Sequence, residues 1–212
     1  TTPPLPEAPD ASCPNAALRG GASAAMEDCR AFELVSPPDK EGADILALQQ
    51  ATSLPARFDK AAASGERFSY SAYRAFGDAA SAPYVSQYLA SRTAAGWSNH
   101  SISAPREGPM FIAGPGLDVE YKAFSEDLSQ GWLIHPTEPV LTPGGVAGAV
   151  NLYRRDNLAE TYMAFSTAPL EGTESSHYEI DLQGTSADGS HAIFIANDNN
   201  PPTTKKPGTF QL

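Results

Sequence analysis

From about residue 57 onward the chain repeats one pattern three times, a polar turn running directly into an apolar segment. Ala62-Ala63-Ser64-Gly65-Glu66 leads into Arg67-Phe68-Ser69-Tyr70, and Ser125-Glu126-Asp127-Leu128-Ser129 leads into Gln130-Gly131-Trp132-Leu133. Ser186-Ala187-Asp188-Gly189-Ser190 leads into His191-Ala192-Ile193-Phe194. A second block accompanies the first. Leu89-Ala90-Ser91-Arg92 matches Leu152-Tyr153-Arg154-Arg155, and Thr209-Phe210-Gln211-Leu212 resembles Ala149-Val150-Asn151-Leu152. The offsets agree: Ser125 and Ser186 lie 61 residues apart, Arg92 and Arg155 63, Leu152 and Leu212 60. A fixed period means a supersecondary unit that buries its faces by stacking on its neighbours.

Each unit reads as turn, strand, loop and second strand, the order of one antiparallel β-blade. The period exceeds the roughly 40 to 50 residues usual for a propeller blade, which places the excess in loops such as 136–148. With 19 Pro and 17 Gly in 212 residues the chain is heavily punctuated by turns, and the expected fold class is all-β. Residues 1–12 read as a Pro-rich extended leader, 13–56 as a cysteine-bearing segment, and 57–212 as the β-repeat domain with units 57–118, 119–180 and 181–212. Within 13–56, Asn15 to Arg19 is expected to form one helical turn and Phe32-Glu33-Leu34-Val35 a short strand.

A net charge of -11 leaves no basic face for phosphates, which disfavours nucleic acid and anionic lipid as partners. No run of about 18 apolar residues is present to span a bilayer. The start, Thr1-Thr2-Pro3-Pro4-Leu5-Pro6, reads as a mature end left by signal cleavage, pointing to an extracellular location. In that setting Cys13 and Cys29 read as a disulfide closing a short loop; two reduced thiols are the alternative, and zinc is disfavoured without nearby His partners.

Sites of chemistry are sparse. His100, His135, His177 and His191 show neither i, i+4 spacing nor an H-E-x-x-H frame, and no serine sits in a G-x-S-x-G elbow. No catalytic residue is assigned, and a triad could arise only by geometry across the fold. Glu126 with Asp127, and Glu179 with Asp181, are carboxylate pairs of the kind glycosidases use, but on turns they read as solvated. Asn197, Asp198 and Asn199, followed by Asn200, offer oxygen ligands for Ca²⁺ without the spacing of an EF-hand loop, so a turn is favoured and no cofactor is expected. Trp97 and Trp132 each follow a glycine and are candidates for stacking on a ligand, although packing between sheets is the commoner use of such aromatics. Asn99-His100-Ser101 fits the N-glycosylation pattern, and Thr1 and Thr2 are candidate O-glycosylation sites.

The stretch Cys13-Pro14-Asn15-Ala16-Ala17-Leu18-Arg19, with Asp28-Cys29-Arg30-Ala31-Phe32-Glu33-Leu34-Val35-Ser36-Pro37-Pro38-Asp39-Lys40, resembles a group of exported actinobacterial surface proteins. The Ser-Ala-Asp-Gly turn and the Leu-Tyr-Arg-Arg block resemble TolB-type or WD-type β-propeller blades. The resemblance implies a secreted or wall-associated propeller with no assigned chemistry, usually in longer chains. Three partial blades cannot close a propeller, which takes about four to eight. The expected function is therefore a non-catalytic structural or adhesive protein of the cell surface. It would assemble with copies of itself or other surface proteins, as a filament or layer, through open sheet edges. A carbohydrate- or protein-binding module is the second expectation, with glycans as partners, and a polysaccharide-active enzyme the third.

Overall fold

A computed structural model describes residues 13, 15–27, 29–46, 59–81, 85–107, 120–135, 138–165, 178–198 and 209–211. The chain divides into two compact units, Thr1–Pro38 and Asp39–Leu212. The leader 1–12 lies outside the described residues, as do Asn199 and Asn200.

In the first unit, 3₁₀ turns at Ala16–Leu18 and Gly21–Ala25 lie inside a loop closed by the Cys13–Cys29 disulfide. The Arg19 side chain pins the loop from within, donating from Nη2 to the carbonyls of Ala24 (2.9 Å) and Met26 (2.6 Å). Ser23 Oγ donates to Gly20 O at 2.8 Å. With a sequence separation of 16, closing the loop restricts the unfolded chain by about 3 kcal/mol. The strand expected over 32–35 does not form: Phe32 and Leu34 are exposed, and no described segment pairs with them to satisfy a strand's backbone.

Among the described residues the second unit is all-β, with eleven strands in three antiparallel sheets. The first sheet is β1 (Lys60–Ala61), β2 (Arg67–Ala72), β3 (Ser86–Thr93) and β4 (Gly96–Ser101), paired in chain order. The second is β5 (Tyr121–Phe124), β6 (Gln130–His135), β7 (Asn151–Asp156) and β8 (Thr161–Ala164), again in chain order. The third holds β9 (Tyr178–Thr185), β10 (Ala192–Asp198) and β11 (Thr209–Gln211), with β10 central. Ile45 bridges to Ala72 and Leu46 donates its N–H to Ser71 O, so residues 45 and 46 extend the β1 edge of the first sheet. The described strands close no ring.

The three polar turns fall at one topological place, between the first and second strands of each sheet. In each, the first residue's N–H donates to a carbonyl at the start of the second strand or immediately before it: Ala62 to Arg67, Ser125 to Gln130, Ser186 to His191. The side chain at the third position caps the turn. Asp127 accepts from Ser129 N and Asp188 from Ser190 N, each at 3.0 Å, and Ser64 Oγ accepts from Glu66 N. The fourth position is left-handed in all three, at Gly65 (φ 74), Leu128 (φ 59) and Gly189 (φ 69).

The second block aligns differently from its sequence match. Tyr70 pairs with Tyr88 and the equivalent Leu133 with Tyr153, so Tyr88 rather than Ala90 corresponds to Tyr153. The slip is two residues, which leaves every side chain on the same face of its strand and so leaves the apolar pattern intact.

The sheets bury their faces against one another. Leu89, Ile102 and Ala104, from the first sheet and the segment after β4, pack with Tyr121, Phe124, Leu128, Leu133 and Tyr153 of the second. Trp132 and Leu152 of the second pack with Ile180, Ala192, Phe194 and Ala196 of the third. The turns are also tied directly, because Ala63 N donates to Glu126 O (3.0 Å) and Glu126 N to Ala187 O (2.8 Å). Three equivalent turn residues thus form a hydrogen-bonded chain from sheet to sheet.

Candidate functional site

Where one sheet's outer strands meet the next sheet, a polar cleft opens. The first, of about 280 Å³, is lined by Leu89 and Ser91 of β3, Ser98 and His100 of β4, and by Arg155, Asn157 and Glu160 of the second sheet. The second, of about 490 Å³, is lined by Arg154 and Asp156 of β7, Thr161 and Met163 of β8, and by Asp188 and Ser190 of the third sheet. Strand register makes one wall of the two clefts equivalent: Ser91 pairs with Ser98 as Asp156 pairs with Thr161, and Leu89 pairs with His100 as Arg154 pairs with Met163; the facing wall is the end of β7 and the turn after it in the first cleft and the turn before β10 in the second. The fold therefore repeats one cleft wall, while the facing wall and the chemistry differ between the two.

The first cleft holds an ordered polar relay. Ser98 and His100 are two apart on β4 and so project from one face. Ser98 Oγ lies 2.9 Å from His100 Nε2, and His100 Nδ1 lies 2.9 Å from Asp78 Oδ2. Asp78, on the turn 77–78 before β3, is itself fixed by accepting the Ser101 N–H at Oδ1 (2.8 Å). An ionised Asp78 only accepts, which places the proton on His100 Nδ1 and leaves Nε2 to accept from the Ser98 hydroxyl. The His100 and Asp78 side chains are each about half exposed, at 57% and 50%, so water screens their attraction.

Facing this wall, Arg155 is buried. Its Nη1 donates to Asn157 Oδ1 at 2.9 Å, its guanidinium lies 5.7 Å from the centre of the Tyr162 ring, and its charge acts on the Tyr121 and Tyr162 hydroxyls. Burial pushes both tyrosines above their ordinary range, against the opposing pull of the guanidinium. Arg155 Nε is buried with no acceptor, and no described carboxylate pairs with this cation.

A second polar cluster sits between the first two sheets. Glu120 accepts from His135 Nδ1 (2.7 Å), from Arg106 Nε and Nη2 (both 3.1 Å), and through Oε2 from Ala104 N (3.2 Å). All three side chains are nearly or fully buried. This cluster ties the segment after β4 to the start of β5 and to β6.

Trp132, a sequence candidate for ligand stacking, is fully buried; it donates Nε1–H to Gly189 O (3.2 Å) and meets Phe165 edge-on. Such a ring has no face for a ligand. Trp97 is half-buried on β4, and the Arg92 guanidinium covers its ring at 4.7 Å. Asn99 is half-buried within β4, its Oδ1 accepting from Tyr70 OH at 2.8 Å. Asn197 and Asp198 belong to β10 rather than to the expected turn, and Asn199 is not described. Among the described residues no group of three or more His, Cys, Asp or Glu converges as a metal site, and no helix is long and apolar enough to cross a membrane. Of the acidic pair Glu126 and Asp127, Asp127 is absorbed by its own turn. Thr1 and Thr2 lie outside the described residues. Sequence reasoning passed over Ser98, His100 and Arg155 because it tested histidines at helical spacing; a test at the strand period of two would have marked Ser98 and His100. Nothing local marked Asp78 or Arg155.

No known protein-family model, curated protein or solved structure matches this chain.

Proposed function

We propose that the chain is an exported binding module, a β-propeller-type array whose inter-sheet clefts take a neutral, hydroxyl-rich ligand such as a glycan. The observation that carries this reading is a cleft wall that recurs at one register position, with both clefts lined by hydroxyl, carboxylate and guanidinium groups. Such mixed donors and acceptors suit sugar hydroxyls, which both give and accept hydrogen bonds. The Cys13–Cys29 disulfide favours an oxidising compartment. Pairing of copies through sheet edges finds less support, because the Ser101 amide on edge strand β4 is already occupied by Asp78.

The test is a glycan array probed with the whole chain, followed by calorimetry on the hits. Selective binding is expected, weakened about tenfold or more by Ser91→Phe or Thr161→Phe, each of which fills a cleft. Absence of any glycan binding, or binding that neither substitution alters, would overturn the reading.

A further inference from the structure

We propose that the cleft between the first two sheets is an ester-hydrolysing site with Ser98 as nucleophile, His100 as general base and Asp78 as the residue that positions His100. This goes beyond the binding reading and rests on separate observations. The first is the relay: hydroxyl to Nε2 and Nδ1 to carboxylate, both at 2.9 Å, with the carboxylate anchored on a backbone amide. This is the order of contacts by which an imidazole accepts a serine proton while a carboxylate holds its tautomer. The second is the setting, since Ser98 and His100 line a cleft instead of lying on a convex surface. The third is charge: the Arg155 guanidinium lines the same cleft. A cationic N–H of this kind is suited to a developing oxyanion.

The cleft also selects the substrate class. Glu160 on its wall repels a substrate carboxylate, and the volume of about 280 Å³ admits a short acyl group on a polar carrier. The substrate is a neutral carboxylic ester. Ser98 Oγ bonds the carbonyl carbon as its proton passes to His100 Nε2, and the carbonyl electron pair moves onto oxygen. When the carbonyl re-forms, the bond to the alkoxide breaks and that oxygen takes the proton from Nε2, leaving an acyl-serine. Water then adds to the acyl carbon, again giving its proton to Nε2, and Ser98 departs reprotonated. The sum is ester plus water to acid plus alcohol. Exposure of His100 and Asp78 on one side gives that water access.

A fluorophosphonate probe, which phosphonylates an activated serine with loss of fluoride, reads the nucleophile directly. The whole chain would be treated with the probe and digested, and the modified residue located by mass spectrometry. The adduct is expected on Ser98 and to vanish in Ser98→Ala. His100→Gln should slow labelling about a hundredfold. Asp78→Asn keeps an oxygen for the Ser101 amide but disturbs the imidazole tautomer, so labelling should fall with the thermal midpoint unchanged and recover in Asp78→Glu. No adduct on Ser98 of the folded chain, or labelling indifferent to His100→Gln, overturns the proposal. Glycan binding without labelling would remove this site alone, and labelling without glycan binding would remove the binding reading alone.

Discussion

Leu128 and Gly189 occupy one turn position with the same left-handed backbone, and they meet its demand differently. Left-handed backbone costs an L-residue about 1–2 kcal/mol, and Leu128 offsets this by complete burial in the core between the first two sheets. Gly189 avoids the cost and also needs its missing side chain, because a Cβ there would come within 2.8 Å of Gln130 Cβ and 3.3 Å of Ser125 Cβ. Gly189→Ala should therefore destabilise by about 2–3 kcal/mol, measured by urea unfolding, whereas Gly65→Ala, with nothing within 4 Å, should cost only the conformational part, about 1 kcal/mol. Glu120 shows the same dependence on context. Removing its charge takes from the buried Arg106 the carboxylate it contacts at 3.1 Å, and Glu120→Gln should lower unfolding stability by about 3–5 kcal/mol. A loss below about 1 kcal/mol would show that the cluster is solvated in solution.

At the scale of elements, the turns explain both what the sequence revealed and what it hid. Ser-x-Asp-x-Ser was legible because its chemistry is local: the aspartate caps a turn made by its own neighbours, and an apolar strand follows at once. The second block was misplaced by two residues because strand period two makes such slips invisible to an apolar pattern. The 32–35 strand failed for a related reason, since alternation alone does not supply a pairing partner. The candidate site was hidden because Asp78 reaches His100 from a different turn and Arg155 lines the cleft from a different sheet. The turn carboxylates also set an acid limit. Asp127 is lowered first by the Ser129 backbone N–H, Asp156 by that of Ala159, and Asp188 by the Ser186 hydroxyl, all below the ordinary carboxylate range. The folded form then binds fewer protons than the unfolded form, so this stability is fully present above the unfolded value of about 3.9 and is lost as pH falls through the lower folded values. The thermal midpoint should be level above about pH 5 and drop below about pH 4, with the drop reduced in Asp127→Asn, whose unmutated carboxylate carries part of it.

For the β-repeat unit as a whole, stability is that of an array, in which each sheet buries its face on the next and the turns are chained across the stack. The clefts are a consequence of this arrangement, since their walls belong to different sheets and separate if the stack does not form. Amide hydrogen exchange followed residue by residue tests the arrangement most directly. Ala63 and Glu126 sit in exposed turns, where amides ordinarily exchange fast, yet each donates to the next turn's carbonyl. Their protection should approach that of the strand interiors, while Ala187, the equivalent residue with no such acceptor among the described residues, exchanges rapidly. If all three amides exchange at the rate of an open turn, the sheets are not tied in series and the account of the clefts fails with them.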